Sequence, residues 1–343
     1  VGEEEHVLLF TMHHIVCDAW SLGVLGREVA ALYEAFSRGG QSPLAELEIQ
    51  YADYAVWQRR PDGGALEDRL SYWKRRLRGS ERLRLPSDRA TAAGPGGTVV
   101  GGAGSGDEKF ALGRGLSEEL NALSRAEGVT LFMTLLAGFK ALLHRHTGQG
   151  EIVLGTNVAN RQTPRAEGLI GFFVNMLVLR TDLSGDPTFR ELLGRVRETT
   201  LGAYEHGEVP YERLVQELRG EDGAGAEFRA VFSLQNAPGG ELRLPGLALR
   251  PLEMGPGVAA GKYDLVLNTW EAEGQVQGWM QYDAGLLDVE MAGRLVRRYE
   301  RLLDAAAAEP GARLSELRVL GAEEGELFRR ATRIDELDAS FSL

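Results

Sequence analysis

The stretch "VTLFMTLLAGFKALLHRHTG" at 129–148 limits the choice of folds more than any other part of the chain. A helix that is apolar over most of its circumference has to be buried, and Gly148 reads as its C-terminal stop. "EIVLGTNVANR" (151–161) then reads as a strand running into a loop, so helix and strand alternate. Further strands are expected at "NMLVLR" (175–180), "FRAVFSLQN" (228–236), "KYDLVLNTW" (262–270) and "VQGWMQYD" (276–283). A helix carrying Val289, Leu295, Val296, Tyr299, Leu302 and Leu303 follows them. The pattern points to a mixed α/β (α+β) fold without a fixed-period repeat.

Near the start, "LLFTMHHIVCDAWSLGVL" (8–25) places two adjacent histidines where an apolar run breaks. Alternation predicts a strand over 6–14, with Val7, Leu9, Thr11 and His13 on one face and Leu8, Phe10, Met12 and His14 on the other. Ser21 is expected to cap a helix in which Leu22, Leu25, Val29, Leu32, Tyr33 and Phe36 recur, until "SRGG" stops it. The histidines therefore diverge across a strand-to-helix turn. A neutral imidazole at His14 can accept a proton or hold a donor in place, with Asp18 folding back beyond the turn. His13 is expected to pack and to fix the turn. On residue types alone, two histidines satisfied inside a fold are the commoner case. Metal binding is disfavoured, because adjacent strand histidines diverge and no His-Glu-x-x-His or paired-cysteine spacing occurs. Cys17 as nucleophile is weaker than Cys17 as a small buried residue, and Ser21 lacks a G-x-S-x-G elbow.

The 343 residues are 43% hydrophobic, enough for two domains or one large composite. A net charge of -12 leaves no basic footprint, so no nucleic-acid partner is expected. One cysteine permits no intrachain disulfide, which makes the cytoplasm the expected compartment. No apolar run reaches the roughly 18 residues of a membrane span, and "VGEEEHV" is no signal peptide. Without an initiator methionine, the chain is expected to begin inside a longer polypeptide. "QYADYAVWQRR" and "ALEDRLSYWKRRLRG" read as helical, with Tyr54 and Trp57 expected in the core. The glycine-dominated segment 94–106 reads as a connection between lobes.

The chain resembles the condensation domains of nonribosomal peptide synthetases, relatives of chloramphenicol acetyltransferase. "MHHIVCDAWSLGVL" matches their H-H-x-x-x-D-G signature, except that Ala19 stands in place of glycine. "YADYAVWQR" (51–59), "IGFFVNMLVLR" (170–180), "HGEVPYERLV" (206–215) and "FRAVFSLQNAP" (228–238) resemble further family motifs in the family's order, and "GTNVANR" and "GKYDLVL" also fit. The resemblance implies two chloramphenicol-acetyltransferase-like lobes with the first incomplete: residues 1–106 the second half of the first lobe, 107–319 the second lobe, 320–343 an exit linker.

The implied activity is acyl transfer. The amine of one carrier-bound aminoacyl thioester attacks a donor thioester on another, and the fragment alone is expected to be inactive. No cofactor is expected on the domain itself; phosphopantetheine arms of upstream and downstream carrier proteins deliver the substrates, and an adenylation domain is a neighbour. By resemblance His14 is the functional histidine, with His13 beside it, and Asp18 is structural, with Arg180 the candidate ion-pair partner. Ala19, Trp20 and Asn175 are the expected channel residues. "DAWSLG", with tryptophan before serine, resembles the subtype joining L-configured residues. Two rivals remain, a non-catalytic recruitment domain and a free-standing acyltransferase using coenzyme A thioesters. Were the turn at Ala19 to need positive φ, alanine would cost on the order of 1 kcal/mol relative to glycine.

Overall fold

The computed structural model describes residues 2, 5–60, 64–86, 104–161, 163–218, 227–235, 244–249, 263–321 and 324–326. After a short 3-10 turn at His14–Val16 come α1 (Ala19–Ser37), α2 (Tyr51–Gln58) and α3 (Ala65–Leu77). The remainder is β1 (Ser105–Ala111), α4 (Arg114–Ala126), α5 (Leu131–Thr147), β2 (Glu151–Val158), α6 (Pro164–Glu167), β3 (Asn175–Asp182), α7 (Phe189–Glu205), α8 (Tyr211–Leu218), β4 (Ala230–Gln235), β5 (Leu265–Ala272), β6 (Gln275–Asp283) and α9 (Val289–Ala308).

The strands form one six-stranded sheet in the order β1-β6-β5-β4-β2-β3. β4 runs parallel to both β5 and β2, and the other pairings are antiparallel. The mixed α/β class expected from the alternation is what the chain adopts.

The helix at the heart of the core forms for local reasons. The Thr130 side chain accepts from the Met133 amide at its start, and Gly148 (φ 72°) closes it in the left-handed region that glycine occupies without a Cβ clash. Leu135, Leu136, Phe139, Leu142 and Leu143 are all buried. α9 lies close against α5: a Cβ on Gly138 would come within 2.5 Å of Leu303, and the Tyr299 hydroxyl donates to the Leu135 carbonyl. A larger residue at 138 would force the Leu303 side chain to shift.

Three expectations need correction, and one strand was not anticipated. The run 5–13 adopts no strand: Val7, Leu8, Leu9 and Phe10 are each more than half exposed. A strand requires a neighbour for its amides and carbonyls, and none of the described strands pairs with this run. His13 is consequently exposed, not packed. β1 was not anticipated, because "SGDEKFA" is charged and shows no apolar alternation; pairing with β6 makes it a strand. Trp57 is exposed, whereas Tyr54 packs on Phe173 in a small separate cluster with Ala166 and Leu169. Most of the glycine-rich connection lies outside the described residues, as does 327–343 of the expected linker; Glu324 docks on α9 through Arg298 and Arg301. Among the described residues no single helix is long and apolar enough to cross a membrane.

Lys140 on α5 is fully buried, and its Nζ donates to the carbonyls of Leu179 (2.7 Å) and Ile152 (3.2 Å). It thus ties α5 to β2 and β3. Two acceptors suit a neutral amine, and burial, assisted by the Arg76 charge, pushes its pKa well down. The unfolded chain then binds one more proton than the folded one between the lowered value and the ordinary lysine range. Stability from this group therefore rises with pH across that window, by about 1.4 kcal/mol per pH unit for a full proton of difference. Lys140→Met is expected to flatten that rise, as read from the difference in melting temperature between variant and parent across the alkaline range; parallel curves would contradict the neutral assignment.

Candidate functional site

The turn that carries the histidines is held by its own side chains. The His13 ring nitrogen Nδ1 accepts from the Ile15 amide (3.1 Å) and caps the 3-10 turn. His14 Nδ1 lies 2.7 Å from the Cys17 carbonyl oxygen. A carbonyl only accepts, so Nδ1 is the donor here, and in the neutral imidazole Nε2 carries the lone pair. The imidazole edge meets the Phe172 ring at 5.1 Å and 87°, which fixes the ring plane, and the residue stays exposed. What results is an oriented imidazole with its accepting nitrogen free of the turn.

Asp18, not Ser21, is the N-cap of α1: its Oδ1 accepts from the Ser21 amide at 2.8 Å. The same oxygen accepts from Arg161 Nη2 (3.1 Å), and Oδ2 accepts from the Phe173 amide (3.0 Å). Asp18 and Arg161 side chains are 3% and 1% exposed, so this is a buried ion pair. Burial by itself would raise the Asp18 carboxyl, but hydrogen bonds from Ser21 and Phe173 and the Arg161 charge outweigh it and hold the pKa below the ordinary value.

Arg161 spends its other donors on the Ala166 (2.5 Å) and Leu169 (2.7 Å) carbonyls through Nη1, and on Ser21 Oγ (2.9 Å) through Nη2. Its guanidinium lies 4.1 Å from the Phe173 ring centroid and 5.7 Å from that of Trp20. Asn160, just before it, turns the chain with φ 51°, a left-handed conformation that asparagine tolerates. Gly171 completes the node. Its amide donates to Ser21 Oγ (3.0 Å), and a Cβ there would stand 2.2 Å from the Tyr51 ring, so only glycine admits that ring.

The expected partner of Asp18, Arg180, is elsewhere. It sits on β3, makes a two-pronged pair with Glu151 of the neighbouring strand (Nη2 to Oε1 2.7 Å) and donates to the Arg76 and Arg78 carbonyls. Asn175 is buried and fully used. It donates to the Gly207 and Val209 carbonyls and accepts from the Met176 and Tyr211 amides, so it clamps the loop before α8.

Ala19 and Trp20 do line a small cleft with Asp18, and its opposite wall is Asn157, Ser233 and Gln235. The cleft opens where β2 and β4, parallel neighbours joined at Gly155 and Val231, end. His14 is not part of that lining; it stands four residues ahead of Asp18. A larger depression along α9, beside Glu290, Arg294 and Arg297, holds none of the motif residues. Ala19 is the first residue of α1 and is not among the positive-φ residues. The strain considered for it does not arise, and alanine suits a helix better than glycine.

Residue types alone missed Arg161, Gly171 and Phe172, although all three lie in quoted stretches. The Trp20 indole also donates to the Glu167 carbonyl (2.9 Å), tying α1 to α6. Among the described residues no cluster of metal-ligating side chains occurs.

A family model described as "Condensation domain" matches residues 1–328. One of the linear gramicidin synthase proteins of Brevibacillus parabrevis is 42% identical over 329 residues, covering 94% of this chain and 6% of that protein. Chondramide synthase cmdD of Chondromyces crocatus is 40% identical over 326 residues, covering 94% and 8%. The chain thus spans less than a tenth of the length of these relatives. Among solved structures, the X-domain from teicoplanin biosynthesis superposes with a TM-score of 0.76 at 30% identity, covering 90% of this chain and 70% of that one. The first condensation domain of the CDA synthetase gives 0.65 at 21% identity, covering 90% and 65%. The fold is shared with these and is of the chloramphenicol-acetyltransferase type.

Breaking a buried ion pair by removing one partner costs about 3–5 kcal/mol. Asp18→Asn and Arg161→Met are each expected to lower thermal stability by that order, with the double variant losing less than the sum. The Asp18 pKa is depressed on folding, so its stabilisation is present above the ordinary aspartate value, about 3.9, and is lost as pH falls through the lower folded value. The Asp18→Asn variant should therefore show a shallower acid limb; strictly additive losses in the cycle would contradict the coupling.

Proposed function

The chain belongs to the family of condensation domains, and we propose on that footing that it forms an amide between a donor aminoacyl or peptidyl thioester and the amine of an acceptor aminoacyl thioester. The observation that carries the reading is the tautomer of His14. With Nδ1–H committed to Cys17, Nε2 offers a lone pair from a fixed ring.

The thioester is already reactive, so orientation supplies much of the rate. The amine nitrogen attacks the thioester carbonyl carbon while one N–H points at Nε2. The tetrahedral adduct collapses with cleavage of the C–S bond; the electron pair leaves on sulfur as thiolate. The proton lost from nitrogen, accepted or steered by His14, ends on that sulfur. Asp18 and Arg161 touch no reacting atom in this scheme; they hold the turn.

Substrates arrive on phosphopantetheine arms of upstream and downstream carrier proteins, with an adenylation domain alongside, and the domain itself carries no cofactor. The named relatives are synthases of gramicidin and chondramide, which supports a place in antibiotic-type secondary metabolism in the cytoplasm. "DAWSLG" supports joining of L-configured residues. The division into a lobe ending near 106, a lobe from 107 to 319 and a linker beyond belongs to the same proposal. Recruitment of an accessory enzyme is not favoured, since His13, His14 and Asp18 are all retained and form an ordered turn.

His14→Ala is expected to lower single-turnover dipeptide formation on loaded carrier proteins by roughly 10² to 10⁴. His13→Ala, which loses one exposed hydrogen bond, should fall far less. Ala19→Gly should leave the rate unchanged and cost up to about 1 kcal/mol of stability. A folded His14→Ala variant with the parent rate would remove the catalytic assignment.

A further inference from the structure

The sheet has a second face, turned away from Leu265, Leu267, Val276 and Met280, whose side chains are buried in the core. On that face the strand register lays out two rows. Gln235, Trp270 and Gln277 are in register across β4, β5 and β6; Ser233, Asn268 and Trp279 form the adjacent row. All six side chains are uncharged. Trp270 and Trp279 are diagonal neighbours with ring centroids 5.7 Å apart at 54°, and both remain partly exposed. Asn268 and Gln277 have no side-chain hydrogen bond among the described residues.

Position makes these rows more than a decorated surface. β2, β4 and β5 run in one direction, so Asn157, Gln235 and Trp270 sit at the same end of the sheet. Asn157, Ser233 and Gln235 are also the far wall of the cleft opened by Asp18, Ala19 and Trp20. The strip is therefore continuous with the cleft beside Asp18, beginning there and ending on the tryptophan pair. Carboxamides at close spacing pair with amide N–H and C=O groups, and two tilted indoles present flat apolar area at little conformational cost.

We propose that this strip holds the acyl substituent of a thioester substrate and selects for an amide-bearing group with an aromatic side chain, with Trp270 and Trp279 as specificity-determining residues. This rests on the amide-forming reading above. Lys109 of β1 stands in register with Trp279 at the end of the second row, and a small substituent leaves the indoles uncovered.

The test is calorimetric binding of stable pantetheine amides of alanine, phenylalanine and glutamate to the protein, each with a free and an N-acetylated amine. The phenylalanyl compound should bind about tenfold more tightly than the alanyl one, in line with the worth of an aromatic contact plus its buried area, and more tightly than the glutamyl one. Trp270→Ala or Trp279→Ala should abolish the preference, while Trp279→Phe retains most of it. The N-acetylated series should bind more tightly, because the carboxamides of the two rows pair with its amide; tighter binding of the free amines overturns the proposal. Equal affinity for alanyl and phenylalanyl compounds, absence of binding by either, or a preference surviving both alanine variants with the fold intact by circular dichroism overturns the proposal. A preference that depends on the tryptophans, together with no condensation on any loaded carrier pair, supports the strip and removes the amide-forming reading.

Discussion

The Asp18–Arg161 ion pair joins three parts of the chain that are otherwise far apart in sequence. It binds the first residue before α1, the loop leaving β2, and the 166–173 segment between α6 and β3. Neither charge is left with solvent as a partner, so each is tolerated only while the other is present and the carbonyls, hydroxyl and amide around them are in place. The aromatic rings of Phe173 and Trp20 against the guanidinium add contact that a lysine would not provide in the same form. Polar satisfaction here is nearly complete; of the Arg161 nitrogens only Nε lacks a partner among the described residues.

That pair decides where the reactive imidazole points, although it never touches it. Asp18 caps α1, so the backbone just before the cap is fixed. Cys17 supplies the carbonyl that accepts the hydrogen bond from His14 Nδ1–H, and Phe172, adjacent to the residue whose amide binds Asp18, supplies the ring that the imidazole meets edge-on. Tyr51 reinforces the arrangement by donating to the Phe172 carbonyl at 2.7 Å across the space that Gly171 leaves free. A catalytic group must be held within a fraction of an ångström to matter. Here the holding is done by charge and hydrogen bonds behind the turn, and the imidazole itself is left accessible.

The sheet contributes a different constraint. Because β4 is parallel to both its neighbours, three strand ends emerge together, and the short β2–β4 pairing lets them part beyond Gly155 and Val231. Strand ends that separate leave a crevice, which is where α/β sheets place their ligands. Lys140, a buried amine on α5, ties that helix to β2 and to β3 beyond it.

Local pattern was enough for the mixed α/β class, the buried helix with its Gly148 end, and five of the six strands. Each of these rests on periodicity and capping, which act between residues close in the chain. The same pattern singled out the histidine pair, Asp18 and the stretches around them. Everything else was settled by the folded arrangement. Arg161 and Arg180 both follow or occupy a strand end, and nothing local tells which will meet Asp18; the loop turning at Asn160 and the pairing of β2 with β3 settle it, sending Arg180 to Glu151. Asn175 is polar and sits at a strand start, yet its four hydrogen bonds reach 32 to 36 residues ahead as well as to its own neighbour. β1 exists because β6 offers it an edge, and 5–13 is not a strand because no described strand does the same. Pairing and ion-pair choice are contacts between distant residues, and a local pattern carries no record of the partner.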